Sequence, residues 1–321
     1  MRVAIIALAL AVPLAANAEE GVSDWLGRMH RSMSTLNYEG TLVYARGTRL
    51  EAMRVLHARE AGVTREKLTS LSGQPREVIR DGGSLTCIWP GRNPIVIGSR
   101  SSAKQGLPAV PVQAGMNTTD YDYHLGPEGR VAGQTCRYIR IQPVDDYRYG
   151  YQLCVGTQHG MLLKSIMFDE HGRRVEQMMF TDFHVREQIP AADFKSSVNG
   201  QAPRMTTPLS EKSDPGLKPD PGWQVGWMPE GFHPVSTVMR HMNGLSAPVQ
   251  HIILSDGIAS VSVYISKADG DKDDYEGGLE RGALHAYATY VDGHEVTVVG
   301  ETPAATVRRI AGSVRYNAQH D

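Results

Sequence analysis

The apolar residues change their spacing early in the chain, from three-and-four to two. Val22, Trp25, Leu26, Met29, Met33 and Leu36 recur at helical spacing. That predicts one amphipathic helix, with Ser23 as its cap. Short runs follow. Thr41 to Arg46, Ala52 to Ala58, Glu66 to Ser70, Arg76 to Asp81, Ser84 to Trp89 and Pro94 to Gly98 read as successive strands. Turn signals stand at Arg46-Gly47, Ser72-Gly73, Asp81-Gly82-Gly83 and Pro90-Gly91. The stretch Gly126 to Gly129 leads into a further strand. From Val131 to Val185 the pattern is a meander: Arg137 to Gln142 pairs with Tyr149 to Val155, and Leu162 to Phe168 turns at Asp169 to Gly172 to return as Val175 to Phe183. Connections this short favour antiparallel pairing. The implied fold class is α+β, a large curled antiparallel sheet with a helix on one face.

The pattern then lapses. Asn199 to Pro221 is polar, holds Pro203, Pro208, Pro215, Pro219 and Pro221, and reads as an extended linker. Beyond it, Val261, Val263 and Ile265 alternate in a half-buried strand preceded by a turn at Ser255-Asp256-Gly257. Tyr287 to Val291 and Glu295 to Val299 flank Asp292-Gly293, a hairpin signal. Thr302-Pro303 opens a last helix as cap and first residue, with Val307, Ile310, Ala311 and Val314 facing inward. This is a smaller C-terminal α+β domain. The expected division is residues 1–18, 19–198, 199–221 and 222–321.

Residues 1–18 read as an export signal, with Arg2, the apolar run Val3 to Leu14, and Ala16-Asn17-Ala18 before Glu19. The apolar run is shorter than the about 20 residues of a membrane span. A soluble exported chain starting at Glu19 is expected. The net charge of -2 gives no electrostatic footprint for nucleic acid. Export implies an oxidising compartment. Cys87, Cys136 and Cys154 allow three pairings. Folding back at Asp145 sets Cys136 opposite Cys154, so a cross-strand disulfide is expected there, with Cys87 left as a small buried hydrophobe.

No catalytic constellation emerges. The chain lacks a Gly-x-Ser-x-Gly elbow, a His-Glu-x-x-His pair, a phosphate-binding loop and a Cys-x-x-Cys. Its 12 histidines are scattered, so neither a metal nor a cofactor is expected. Asp269, Asp271, Asp273 and Glu280 echo a calcium loop, but Asp274 stands where that loop needs glycine, so an acidic solvated loop is the better account. Trp223 and Trp227, with Phe232, are the candidate partner-binding residues, because Trp is enriched in interface hot spots. The competing reading is that one Trp anchors the small domain's core.

The stretch Leu36-Asn37-Tyr38-Glu39-Gly40-Thr41-Leu42-Val43-Tyr44, just after the helix, resembles the start of the mature MucB/RseB family. Trp227-Met228-Pro229-Glu230-Gly231-Phe232, Leu254-Ser255-Asp256-Gly257 and Val298-Val299-Gly300-Glu301 resemble the family's C-terminal segments. The first half is also similar in architecture to the LolA/LolB lipoprotein carriers. The MucB/RseB resemblance implies a periplasmic negative regulator of an envelope-stress sigma factor. Such a protein binds the periplasmic domain of a MucA/RseA-like transmembrane anti-sigma factor, shields it from regulated proteolysis, and is released by lipid, lipopolysaccharide or other envelope signals. The carrier likeness implies an apolar hollow that Met53, Val55, Trp89, Ile95 and Ile97 line, against the plainer reading that these are core. It also supplies the alternative function, a periplasmic lipid or lipoprotein carrier. Partner binding is expected in the C-terminal domain and lipid sensing in the first. The oligomeric state stays open, a homo-oligomer included.

Overall fold

The computed structural model describes residues 21–88, 119–197, 204–208, 216–242, 245, 247–268 and 276–317. The export signal, the strand expected at Pro94 to Gly98 and the acidic run Asp269 to Asp274 lie outside them. Helix α1 (Val22–Thr35) buries Trp25, Leu26 and Met29. Ser23 is not its cap: Gly21 takes that position, and the Asp24 carboxylate accepts the Gly21 amide at 3.1 Å.

Eleven strands form the first sheet. They are β1 (Tyr38–Arg46), β2 (Arg49–Glu60), β3 (Val63–Ser70), β4 (Glu77–Asp81), β5 (Ser84–Ile88), β6 (Tyr121–Val131), β7 (Gln134–Pro143), β8 (Gly150–Gly156), β9 (Leu162–Phe168), β10 (Arg174–Val185) and β11 (Arg204–Pro208). The order is β11-β5-β4-β3-β2-β1-β10-β9-β8-β7-β6, so two meanders meet where β1 pairs antiparallel with β10. The face that carries α1 is the core. Tyr38, Leu42, Val55, Phe180, Phe183, Leu153 and Ile139 are buried there. Each such side chain contributes about 1.5–3 kcal/mol. In β2 the alternate residues Leu56 and Ala58 are also buried, on the other face, by Phe194 and Ile189.

Two expectations are corrected here. Gly126 to Gly129 lies inside β6, where the register slips between Leu125 and Glu128 and Tyr138 packs so close that a Cβ on Gly129 would meet its ring at 2.5 Å. The glycines form a bulge inside the strand rather than a lead into it. The linker is not wholly unpaired either, because Arg204–Pro208 pairs with β5 and closes one edge of the sheet. Its proline takes an edge position, where a missing donor costs least.

The second sheet has six strands: β13 (His233–Arg240), β14 (Val249–Ser255), β15 (Ser260–Lys267), β16 (Gly277–Arg281), β17 (Leu284–Val291) and β18 (His294–Gly300), ordered β13-β14-β15-β18-β17-β16. Beside it, β12 (Trp223–Val225) pairs with β19 (Val314–Tyr316). Helix α2 (Ala304–Ala311) buries Val307, Ile310 and Ala311 against Val261, Val263, Ile265, Val296 and Val298. Pro303, not Thr302, takes the cap position, and Thr302 is wholly buried. The Asp292-Gly293 hairpin is as expected: both residues have positive φ, the twist a tight two-residue turn needs.

Candidate partner-binding site at the junction of the two sheets

The segment joining β7 to β8 reaches into the second sheet. Its Arg148 is wholly buried. The guanidinium forks onto Asp145 at 2.8 and 3.1 Å, donates to Asp256 Oδ2 at 2.7 Å, and donates to the Glu230 carbonyl at 2.6 Å. Asp120 lies 3.6 Å away. The rings of Tyr121 and Phe232 flank it at 5.3 and 5.2 Å. Asp256 also accepts the Tyr121 hydroxyl at 2.8 Å and, through Oδ1, the amides of Ile258 and Ala259. A buried cation is tolerated when charged acceptors satisfy its donors, and this one makes three hydrogen bonds to carboxylates and one to a carbonyl. Burial and the neighbouring Asp256 push the Tyr121 phenol well above its usual value. Gly231 has φ +78° and touches Asp120 so closely that only glycine fits.

At the rim of this junction lies Trp227, half-buried. Tyr147 meets its ring edge-on at 4.9 Å, and the exposed Arg309 covers it at 4.0 Å. Tyr147 is tied to α2 twice, by Thr306 donating to its carbonyl at 2.8 Å and by Arg309 donating to its hydroxyl. Trp223 is different. It is buried in the small domain against Tyr316 and His294, each at 5.0 Å. Phe232 is buried under Arg148. The three candidate partner residues are therefore one core anchor, one junction residue and one rim residue.

The sheets touch a second time. Glu176 on β10 accepts the Tyr44 hydroxyl from β1 and, across the junction, the Ala283 amide at 3.1 Å. Gly282, with φ +66°, lies on the Arg46 side chain, where a Cβ would come within 2.0 Å of Cδ. The Tyr149 hydroxyl is 3.3 Å from His285 Nδ1, which is also 2.8 Å from the Thr302 carbonyl. Glu301, half-buried just after β18, faces Glu176. Burial first, then that carboxylate, push its carboxyl up to about 7.

Of the candidate hollow residues, Met53 and Val55 share the inner face of β2, beside Leu42 and Gly40 of β1. Val55 is buried and Met53 half-buried. Trp89, Ile95 and Ile97 lie outside the described residues. Next to Val55, His57 is buried and stacked on Tyr38 at 5.0 Å, with Leu36 O 2.7 Å from Nδ1. Burial lowers its affinity for a proton. Gly40 admits β10: a Cβ there would sit 2.5 Å from the Asp182 carbonyl. Asn37 donates to the Glu187 carbonyl and accepts the Arg59 amide. The whole Leu36–Gly40 motif thus fastens helix to sheet centre.

Cys136 and Cys154 are joined, with Cα atoms 5.4 Å apart, and Cys87 is free. They are diagonal neighbours, not directly opposite: Cys136 pairs with Gly156, and Tyr138 with Cys154. The hairpin centres on Asp146 rather than Asp145, and one residue at the centre moves the partner by two. Burial raises the Cys87 thiol. Among the described residues no cluster fit to hold a metal is present, and no helix is long and apolar enough to cross a membrane. Sequence reasoning missed Arg148 and Glu176. Nothing in a linear pattern ties Arg148 to Asp256, 108 residues away.

Residues 21–198 match the sequence model described as the MucB/RseB N-terminal domain, and residues 218–315 that of the MucB/RseB C-terminal domain. The chain is 29% identical over 313 residues to the Sigma factor AlgU regulatory protein MucB of Pseudomonas aeruginosa, covering 96% of this chain and 95% of that one. It is 26% identical over 315 residues to the Sigma-E factor regulatory protein RseB of Haemophilus influenzae, covering 97% and 96%. The solved MucA/MucB complex of Pseudomonas aeruginosa matches with a TM-score of 0.70 at 26% identity, over 92% of this chain and 99% of that one.

Proposed function

Because this chain belongs to the MucB/RseB family, whose two domain models match it on either side of the linker, we propose that it regulates an envelope-stress sigma factor negatively, from the periplasm. It binds the periplasmic domain of a membrane-spanning anti-sigma factor and shields that segment from the protease that starts its destruction. Lipid or another envelope signal releases it. The observation that carries this reading is the match of both sheets together to the MucB of a MucA/MucB complex. The protein works by binding rather than by catalysis.

Its affinity is set by opposing terms. An extended segment buries apolar side chains against a preformed surface and gives up conformational freedom as it orders. The result is moderate and releasable. The rim formed by Trp227, Tyr147 and Arg309 supplies aromatic and cationic contacts for that segment. The half-buried Met53, beside the core residue Val55 on the inner face, marks the lipid site. The runner-up, a lipid or lipoprotein carrier, leaves the second sheet without a task, although Arg148 is committed to docking it.

The test is calorimetric binding of the full chain to the purified periplasmic segment of its anti-sigma factor, with and without lipid. Binding that weakens as lipid is added is expected. Lipid handed to an acceptor, with no binding to the segment, overturns the regulator and leaves the carrier.

A further inference from the structure

Charge is unevenly placed on the second domain. Residues 222–321 carry 12 acidic side chains against 7 basic ones, yet Arg308, Arg309 and Arg315 fall together at the end of α2 and on β19. All three are exposed. Elsewhere arginines face carboxylates, as Arg76 faces Glu51 and Arg80 faces Glu66. Among the described residues these three have no ion-pair partner, and two of them rest on aromatic rings. Arg308 lies over Tyr287 at 5.6 Å. Arg309 lies over Trp227 at 4.0 Å and donates to the Tyr147 hydroxyl. Arg315 reaches the residue before Trp227: a Cβ on Gly226 would lie 3.5 Å from its Nη1. Ser313 pins that segment, because the Gly226 amide donates to its carbonyl and the Trp227 amide to its hydroxyl, each at 3.0 Å.

We propose, with the regulatory reading as the premise, that Arg309 and Arg315 form a carboxylate site beside Trp227, and that its occupant is an acidic stretch of the anti-sigma factor's periplasmic segment. The ring under Arg309 holds the guanidinium in place, so little side-chain freedom remains to be lost on binding. Only one of its five donors is committed, to Tyr147, and the planar fork that remains matches a carboxylate. The site is continuous with the Trp227 and Tyr147 rim. An extended segment places every second side chain on one face. An apolar residue on Trp227 and an acid two positions away then meet ring and guanidinium together. A positive patch on an acidic domain also orients its partner: it attracts the acidic stretch while the rest of the domain surface repels it.

The experiment compares the full chain with the double variants Arg309→Gln/Arg315→Gln and Arg309→Lys/Arg315→Lys. Association with the purified anti-sigma segment is followed over a series of salt concentrations. The wild type is expected to associate faster as salt falls. The Gln variant should lose most of that dependence and associate about tenfold more slowly at low salt, whereas the Lys variant, which keeps the charge, retains it. Equal salt dependence in the wild type and the Gln variant overturns the site, as does a Gln variant altered only in its urea midpoint. Should the double variant fail to fold, Arg315→Gln alone carries the comparison, since that side chain is exposed and rests on no ring. A second probe separates this site from the regulatory reading: a short peptide with Glu on either side of one Leu, against its Gln counterpart. If the anti-sigma segment does not bind at all, the regulatory reading falls, while a wild-type preference for the Glu peptide that the Gln variant lacks still supports the site. No such preference overturns it. Phosphatidylglycerol vesicles that bind the wild type and not the Gln variant, with segment association the same in both, assign the arginines to lipid headgroups and also overturn it.

Discussion

Arg148 Nη1 and Asp256 Oδ2 lie 2.7 Å apart across the junction of the two sheets, and neither side chain is exposed. Removing one partner of such a pair strands the other. Arg148→Met is therefore expected to cost about 3–5 kcal/mol, read from urea unfolding of the full chain. Adding Asp256→Asn recovers part of the loss, so the double variant falls short of the sum of the singles. A loss under about 1 kcal/mol, the scale of an exposed pair, would place the strength of the junction elsewhere.

The disulfide closes 18 residues of chain between Cys136 and Cys154. Replacing both by Ala is expected to lower stability by about 3 kcal/mol on the loop-entropy account. Non-reducing peptide mapping of the exported protein should show these two peptides joined and Cys87 alkylatable. A bridge involving Cys87 contradicts the pairing.

Glu77 on β4 is buried and makes stability depend on pH at the acid end. Burial pushes its carboxyl up, but bonds from Ser196 and Ser197, with Lys67 at 3.5 Å, bring it below its usual value. A lowered folded value means stability present above the unfolded value of 4.5 and lost as pH falls below it. Glu77→Gln should therefore unfold earlier in urea at neutral pH. It should also lose less on acidification than the wild type does. An unchanged acid limb refutes this.

Trp227→Ala is expected to weaken binding of the anti-sigma segment by at least about tenfold, or about 1.4 kcal/mol. Uptake of a fluorescent acyl chain should be nearly unchanged. Equal losses in both assays would remove Trp227 from the partner surface and make it a support of the junction.

Periodicity revealed most of the strands, since several alternate against one covered face, and it revealed both helices. It missed what lies between elements. The glycines of β6 read as the approach to a strand rather than its interior, because only the register slip and the Tyr138 ring opposite reveal the bulge they form. The prolines of the linker hid β11, whose pairing with β5 is a tertiary fact. Trp223 and Trp227 look alike in the chain, yet one is core and the other rim. The junction was illegible for a similar reason. Arg148 sits in a polar connection, Asp145 to Tyr149, that reads as an ordinary hairpin end.

The pairing of β1 with β10 also sets a timetable. Tyr38 meets Val185, so the central seam of the first sheet joins segments more than a hundred residues apart. At about 5–20 residues per second, a chain delivered from its N-terminus waits on the order of ten seconds between completing β1 and completing β10. Through that interval the inner edge of β1 offers its unpaired amides and carbonyls to any other strand. The seam is the costliest pairing of the sheet in loop closure. A nascent chain of this protein is thus most vulnerable to aggregation at Tyr38–Arg46, the stretch that ends up in the middle of the finished sheet.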